Sequence, residues 1–115
     1  MRHLKKGRKF HRETAQRKAL MKALVTALVT NGKIKTTHAK AKELRPAIEK
    51  MITRAKAKTP QNFRIIRKTL AEKVTRKLFD EIATKYQDRA GGYTRIILLG
   101  QRKSDSSHMA HIEFI

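Results

Sequence analysis

Apolar residues recurring at helical spacing over most of the chain, a double-glycine break, and two strand-like segments beyond it predict an α+β domain. The predicted order is helix, strand, three helices and two strands, with a small mixed sheet packed against the helices. An extended basic arm over residues 1–12 precedes a single domain over 13–115. The chain has 115 residues, 39% of them hydrophobic, and no cysteine. One domain of this length buries roughly two thirds of the surface its unfolded chain exposes, so a real core is expected without disulfides or thiolate metal sites.

Each element has a local cause. Residues 1–12, MRHLKKGRKFHR, hold six basic residues and no acid, with Leu4 and Phe10 as the apolar groups and no period. A helix over 13–30 follows from Leu20, Leu24 and Leu28 at spacing four, with Met21 and Val25 beside them. Asn31-Gly32 stops it, because glycine tolerates the left-handed conformation of a helix end. KIKTT, residues 33–37, is partly β-branched and reads as a strand. Thr36 or Thr37 caps the next helix, 38–58, whose core face is Ala41, Leu44, Ile48, Met51, Ile52 and Ala55. Pro46 should kink that helix, since it has no N–H for the ladder. Thr59-Pro60 is an N-cap with proline at the first helical position, opening a short helix over 61–70. Val74, Leu78, Ile82 and Tyr86 predict another over 72–87. Gly91-Gly92 breaks the pattern. YTRIILL, 93–99, reads as a buried strand. MAHIEFI, 109–115, alternates Ala110, Ile112 and Phe114 against Met109, His111 and Glu113. The polar QRKSDSSH between them is a hairpin loop.

The charge decides the class of partner. There are 29 Lys and Arg against 9 Asp and Glu, a formal net charge of +20. That density opposes compaction unless a polyanion is near. Nucleic acid fits best, because every neutralised phosphate releases condensed counterions. Residues 1–60 hold 18 Lys and Arg against 3 Glu, and residues 61–115 hold 11 against 6 acids. The partner-facing load therefore sits in the first half. The arm cations Lys5, Lys6 and Lys9, with Arg17 on the first helix, are expected phosphate contacts. No apolar run approaches the roughly 20 residues of a membrane span, and no apolar stretch follows the N-terminal charges as a secretory signal requires.

Chemistry-bearing clusters are missing from the pattern. His3 and His11 lie among cations, His38 is isolated, and His108 and His111 lack the carboxylate or thiol that would complete a tetrahedral metal set. The acids are scattered, several at helical spacing from a cation, such as Glu43 with Lys40 and Glu72 with Arg76. Ser104, Ser106 and Ser107 lack a nucleophile-elbow context. No catalytic residue, metal, cofactor or small-molecule substrate is expected. The six aromatics form no paired stacking platform of the kind single-strand readers use; Phe79 and Phe114 read as core. Shape and backbone reading of folded RNA is the expectation. A DNA-coating protein would need a dimer interface or a groove-filling element, and an RNA-acting enzyme a convergent acid–base or metal site; neither is evident.

Three segments carry a resemblance. The opening MRHLKKGRKFHR with Gly7-Arg8, the segment IKTTHAKAKELR over 34–45, and RAGGYTRI over 89–96 resemble, in this order, the bacterial large-ribosomal-subunit protein seventeen family, and the ending MAHIEFI is similar as well. The likeness covers nearly the whole chain. It implies a scaffold of the large subunit that binds large-subunit ribosomal RNA near the outer end of the nascent-chain exit tunnel, in the cytoplasm, with large-subunit proteins twenty-two and thirty-two as neighbours. Carried over position by position, it implies RNA contacts at Arg2, His3, Gly7, Arg8 and Arg12, at Thr36, Thr37, Lys40, Lys42 and Arg45, and at Arg89, Tyr93 and Arg95. One departure is Lys22-Ala23, where many members have Arg-Asn; lysine supplies a point charge but not a bidentate fork.

Overall fold

The computed structural model describes residues 13–115, so the arm lies outside the described residues. Helix α1 spans Thr14–Asn31 and ends on Gly32, whose φ of 79° is left-handed and whose N–H donates to the Leu28 carbonyl at 2.7 Å. This is the stop that Asn31-Gly32 predicts. Strand β1 is Lys33–Thr37. Thr37 caps α2, His38–Lys56, its hydroxyl accepting from the Lys40 N–H at 3.3 Å.

Helix α2 runs through Pro46 without interruption. The proline deprives the Lys42 carbonyl of its usual donor, and both residues lie on the exposed side of the helix, where solvation offsets the lost bond. Helix α3 is Pro60–Arg67, with the Thr59 hydroxyl accepting from the Asn62 N–H at 3.2 Å. It stops three residues short of the expected end. Helix α4, Glu72–Lys77, continues through a π turn, Leu78–Ile82, into α5, Ala83–Lys85. The Ala83 N–H reaches back to the Leu78 carbonyl, five residues away. A stripe at a strict spacing of four drifts around a 3.6-residue helix. The wide turn absorbs the drift and keeps Leu78, Ile82 and Tyr86 all buried.

Strands β2, Thr94–Gln101, and β3, His108–Phe114, complete a three-stranded sheet of order β1-β3-β2. Both pairings are antiparallel, so the sheet is not mixed. Strands β1 and β2 do run in the same direction, but β3 lies between them, and no parallel ladder forms. The second correction concerns β2. Its predicted burial holds at Tyr93 and Thr94 only; Ile97, Leu98 and Leu99 are 41%, 65% and 43% exposed. The helical layer covers one end of β2, and the strand lies at the sheet's edge.

The core sits between the sheet and α2. Ala41, Leu44, Ile48, Ile52 and Ala55 of α2 meet Ala110 and Ile112 of β3, with Val25, Leu28 and Val29 of α1 at one side. Leu20, Met21 and Leu24 are only half-buried, so the N-terminal half of α1 overhangs the core. Phe79 is buried against Phe63 edge-on, ring centroids 5.3 Å apart. Phe114 packs on the core's margin.

Candidate nucleic-acid interface

Helix α2 spends its apolar face on the core, so its cations are left for its flanks. Two grooves lie along those flanks. The first, about 790 Å³, runs between α1 and α2. Its lining joins apolar Met21, Val25 and Met51 to the cations Arg17, Lys18, Lys22 and Lys68, with Glu43 as its one acid. The Arg17 guanidinium donates to the Thr14 hydroxyl at 2.9 Å, which steadies it in the groove's lining. The second groove, about 650 Å³, lies between α2 and the loop carrying Ala90 and Gly91, with Lys50 and Arg54 at its edge.

The start of α2 concentrates the second motif. Thr37 spends its hydroxyl on the cap, and Thr36 is half-buried opposite Ala110 of β3. The first turn holds no acid and carries His38 and Lys40. Cations at this end oppose the helix dipole, which favours an anion there. Lys42 is exposed. Arg45 is half-committed within the chain, 3.5 Å from the Glu49 carboxylate.

In the third motif Tyr93 is 0% exposed and borders the second groove, and the fold engages its hydroxyl inside the chain. Its hydroxyl lies 3.2 Å from the Thr53 hydroxyl, accepts from the Lys56 ammonium at 3.2 Å, and donates to the Arg89 carbonyl at 3.3 Å. The Thr53 hydrogen bond, with help from Lys56, holds the phenol below its ordinary range. Lys56 also donates to the Arg89 carbonyl. Together they pin the loop beneath Arg89 and leave the Arg89 side chain exposed. Arg95 is exposed, but its Nε donates to Glu113 at 2.8 Å.

Arg2, His3, Lys5, Lys6, Gly7, Arg8, Lys9 and Arg12 lie outside the described residues. Of the rest, Arg17 lines the first groove, Lys40, Lys42 and Arg45 lie in the first half of α2, and Arg89 lies beside its last residue, Lys56. Arg95 lies instead on the sheet face turned away from α2.

Sequence pattern alone does not reveal that open face. Lys33, Glu113 and Arg95 form one row across the three strands, and Lys35, His111 and Ile97 the next. Arg95 first, then Lys33, hold the Glu113 carboxyl below the usual range. The His111 Nδ1 is buried with no hydrogen-bond partner among the described residues. The period of two in KIKTT places Lys33 and Lys35 on one face, but only the strand register brings Arg95 beside them. Lys18, Lys22, Lys50 and Arg54 also escape notice as a set, because they read individually as a solvated helix surface.

Among the described residues no three His, Asp or Glu side chains converge as metal ligands, and no helix is long and apolar enough to cross a membrane. Two grooves with basic side chains flank α2 on a small α+β scaffold. Comparison with known proteins gives the family. The chain matches the family model for Ribosomal protein L17 over residues 20–115. Full-length alignments link it to proteins named Large ribosomal subunit protein bL17. The one from Pelobacter propionicus is 48% identical over 100% of this chain and 91% of its own length. The one from Dictyoglomus turgidum is 47% identical over 100% of both chains. The Salinibacter ruber relative is 47% identical and longer, so this chain spans 59% of it. The chain belongs to the ribosomal protein L17 family, a family of structural proteins and not of enzymes.

Proposed function

We propose that this protein is a structural constituent of the large ribosomal subunit that binds large-subunit ribosomal RNA through phosphate contacts along both flanks of α2. The carrying observation is the pair of grooves lined with basic side chains, Arg17, Lys18, Lys22 and Lys68 on one side and Lys50 and Arg54 on the other. Phosphate contacts of this kind fix register and orientation without reading base sequence. The scaffold suits such a role, with a packed core, no catalytic cluster among its described residues, and cations pointing away from the packed layers. In this reading the arm residues Arg2, His3, Lys5, Lys6, Gly7, Arg8, Lys9 and Arg12 add further RNA contacts, with Lys40, Lys42, Arg45 and Arg89 on the domain. Arg95 contributes less, being engaged by Glu113.

The family resemblance supports a position near the outer end of the nascent-chain exit tunnel, beside large-subunit proteins twenty-two and thirty-two, in cytoplasmic ribosomes. The test is crosslinking from positions 22 and 54 in purified large subunits. The expected product is ribosomal RNA on both. Subunits that lack the chain, or equal affinity of the free protein for duplex DNA and ribosomal RNA, would overturn the proposal.

A further inference from the structure

The apolar run Ile97-Leu98-Leu99 is exposed on an edge strand, and RNA binding leaves it unexplained. Edge strands in soluble proteins are normally guarded. The opposite edge follows that rule, with Lys33 and Lys35 exposed on β1. The β2 edge does not.

Its backbone is also open. The Ile115 N–H donates to the Tyr93 carbonyl, so Tyr93, Arg95 and Ile97 direct their backbone groups at β3, and the alternation of an antiparallel ladder turns those of Thr94, Ile96 and Leu98 outward. At Thr94 the outward N–H is taken by Glu49 at 3.3 Å. At the other end the register slips between Leu98 and Gly100, ending the regular edge. Between these limits Ile96 and Leu98 offer a short ladder to an incoming strand.

We propose that the β2 edge is the docking site for an extended, apolar segment of a neighbouring ribosomal protein, which adds a fourth strand to the sheet. This inference rests on the ribosomal reading above. Charge selects this occupant over the others. Within β2 the one cation is Arg95, which Glu113 engages, and Arg102 beyond it pairs with Asp105, leaving Lys103 in the hairpin as a nearby cation; the apolar stretch itself therefore attracts phosphate less than the flanks of α2. A second copy would bring another formal +20 to strand spacing of roughly 4.8 Å, and like charge opposes it. An apolar peptide strand satisfies both the open ladder and the exposed side chains.

The test uses a photo-crosslinking side chain at position 98 in chains assembled into large subunits, with amide hydrogen exchange on the unaltered protein, free and in the subunit. The expected crosslink is to one ribosomal protein, within an extended apolar segment. The Ile96 and Leu98 amides should exchange at least about 100-fold more slowly in the subunit. A crosslink to RNA or to a second copy, or unchanged exchange, overturns this inference alone. Absence of the chain from the subunit overturns the ribosomal reading and this inference with it.

Discussion

The Glu49 carboxylate on α2 accepts from both the backbone N–H and the hydroxyl of Thr94, at 3.3 and 2.8 Å, and so ties the helical layer to the first residue of β2. Thr94 is buried, and loss of its acceptor leaves two donors without water. Glu49→Ala should destabilise the fold by about 1–3 kcal/mol. Chemical denaturation measures it. Thr94→Val combined with Glu49→Ala should cost less than the two changes separately, because the donor and acceptor belong to one interaction.

Tyr93→Phe removes only the hydroxyl that joins Thr53, Lys56 and the Arg89 carbonyl. The expected cost is about 1 kcal/mol of stability, with RNA affinity little changed at saturating folded protein. Arg89→Ala should do the reverse, weakening RNA binding and leaving the denaturation midpoint in place. Filter binding and urea titration of both variants separate the two roles.

RNA binding should weaken steeply with salt. The log–log slope is expected to be about −0.7 to −0.9 per phosphate contacted. Replacing Lys22 or Arg54 with Ala should flatten the slope by close to one contact each. A pair on opposite flanks of α2 should combine additively, because the grooves are separate.

Acid should destabilise the fold through carboxylates on the sheet, the hairpin and α4. Arg95 holds the Glu113 carboxyl below its ordinary range, Arg76 does the same to Glu72, and Arg102 to Asp105. A carboxylate depressed in the folded state contributes stability that is present above its unfolded value, about 4, and is lost as pH falls through its folded value. Thermal melting should therefore be flat near neutrality and fall below about pH 4. Glu113→Gln should make the acid limb shallower.

Gly32 ends α1 at a φ of 79°, with open space around the position of a Cβ. The obstacle to a side chain is conformational, not steric crowding by neighbours. Gly32→Ala should cost about 1–2 kcal/mol, readable by denaturation, and Gly32→Asn should cost less because asparagine tolerates the left-handed region better.

The elements governed by local chemistry could be read from the sequence. The Thr37 and Thr59 caps, the Gly32 stop and the α2 core face depend on residues within a turn of one another, and they are where periodicity puts them. What depends on distant pairing was hidden. The place of β3 between β1 and β2 decides that the sheet is antiparallel, and no local pattern encodes it. The same placement leaves Ile97, Leu98 and Leu99 at an edge, although an apolar run reads as buried. In the interface, charge density drew notice to the arm and to α2. The burial of Tyr93 was not legible, because a motif position says nothing about which way a ring turns. Its burial follows from Tyr86, whose ring lies 5.4 Å away, and from the hydroxyl's three partners.

The position of β3 also sets an order of assembly. Lys33 pairs with Glu113, and Arg95 pairs with the same residue from the other side. Neither β1 nor β2 has another strand to pair with among the described residues. A growing chain can wind α1 and α2 early, since their bonds are local. The sheet must wait for the final element to insert between two strands made long before it. A chain halted ahead of His108 would have two strands with no partner between them, because the seven-residue β3 supplies both ladders of the sheet.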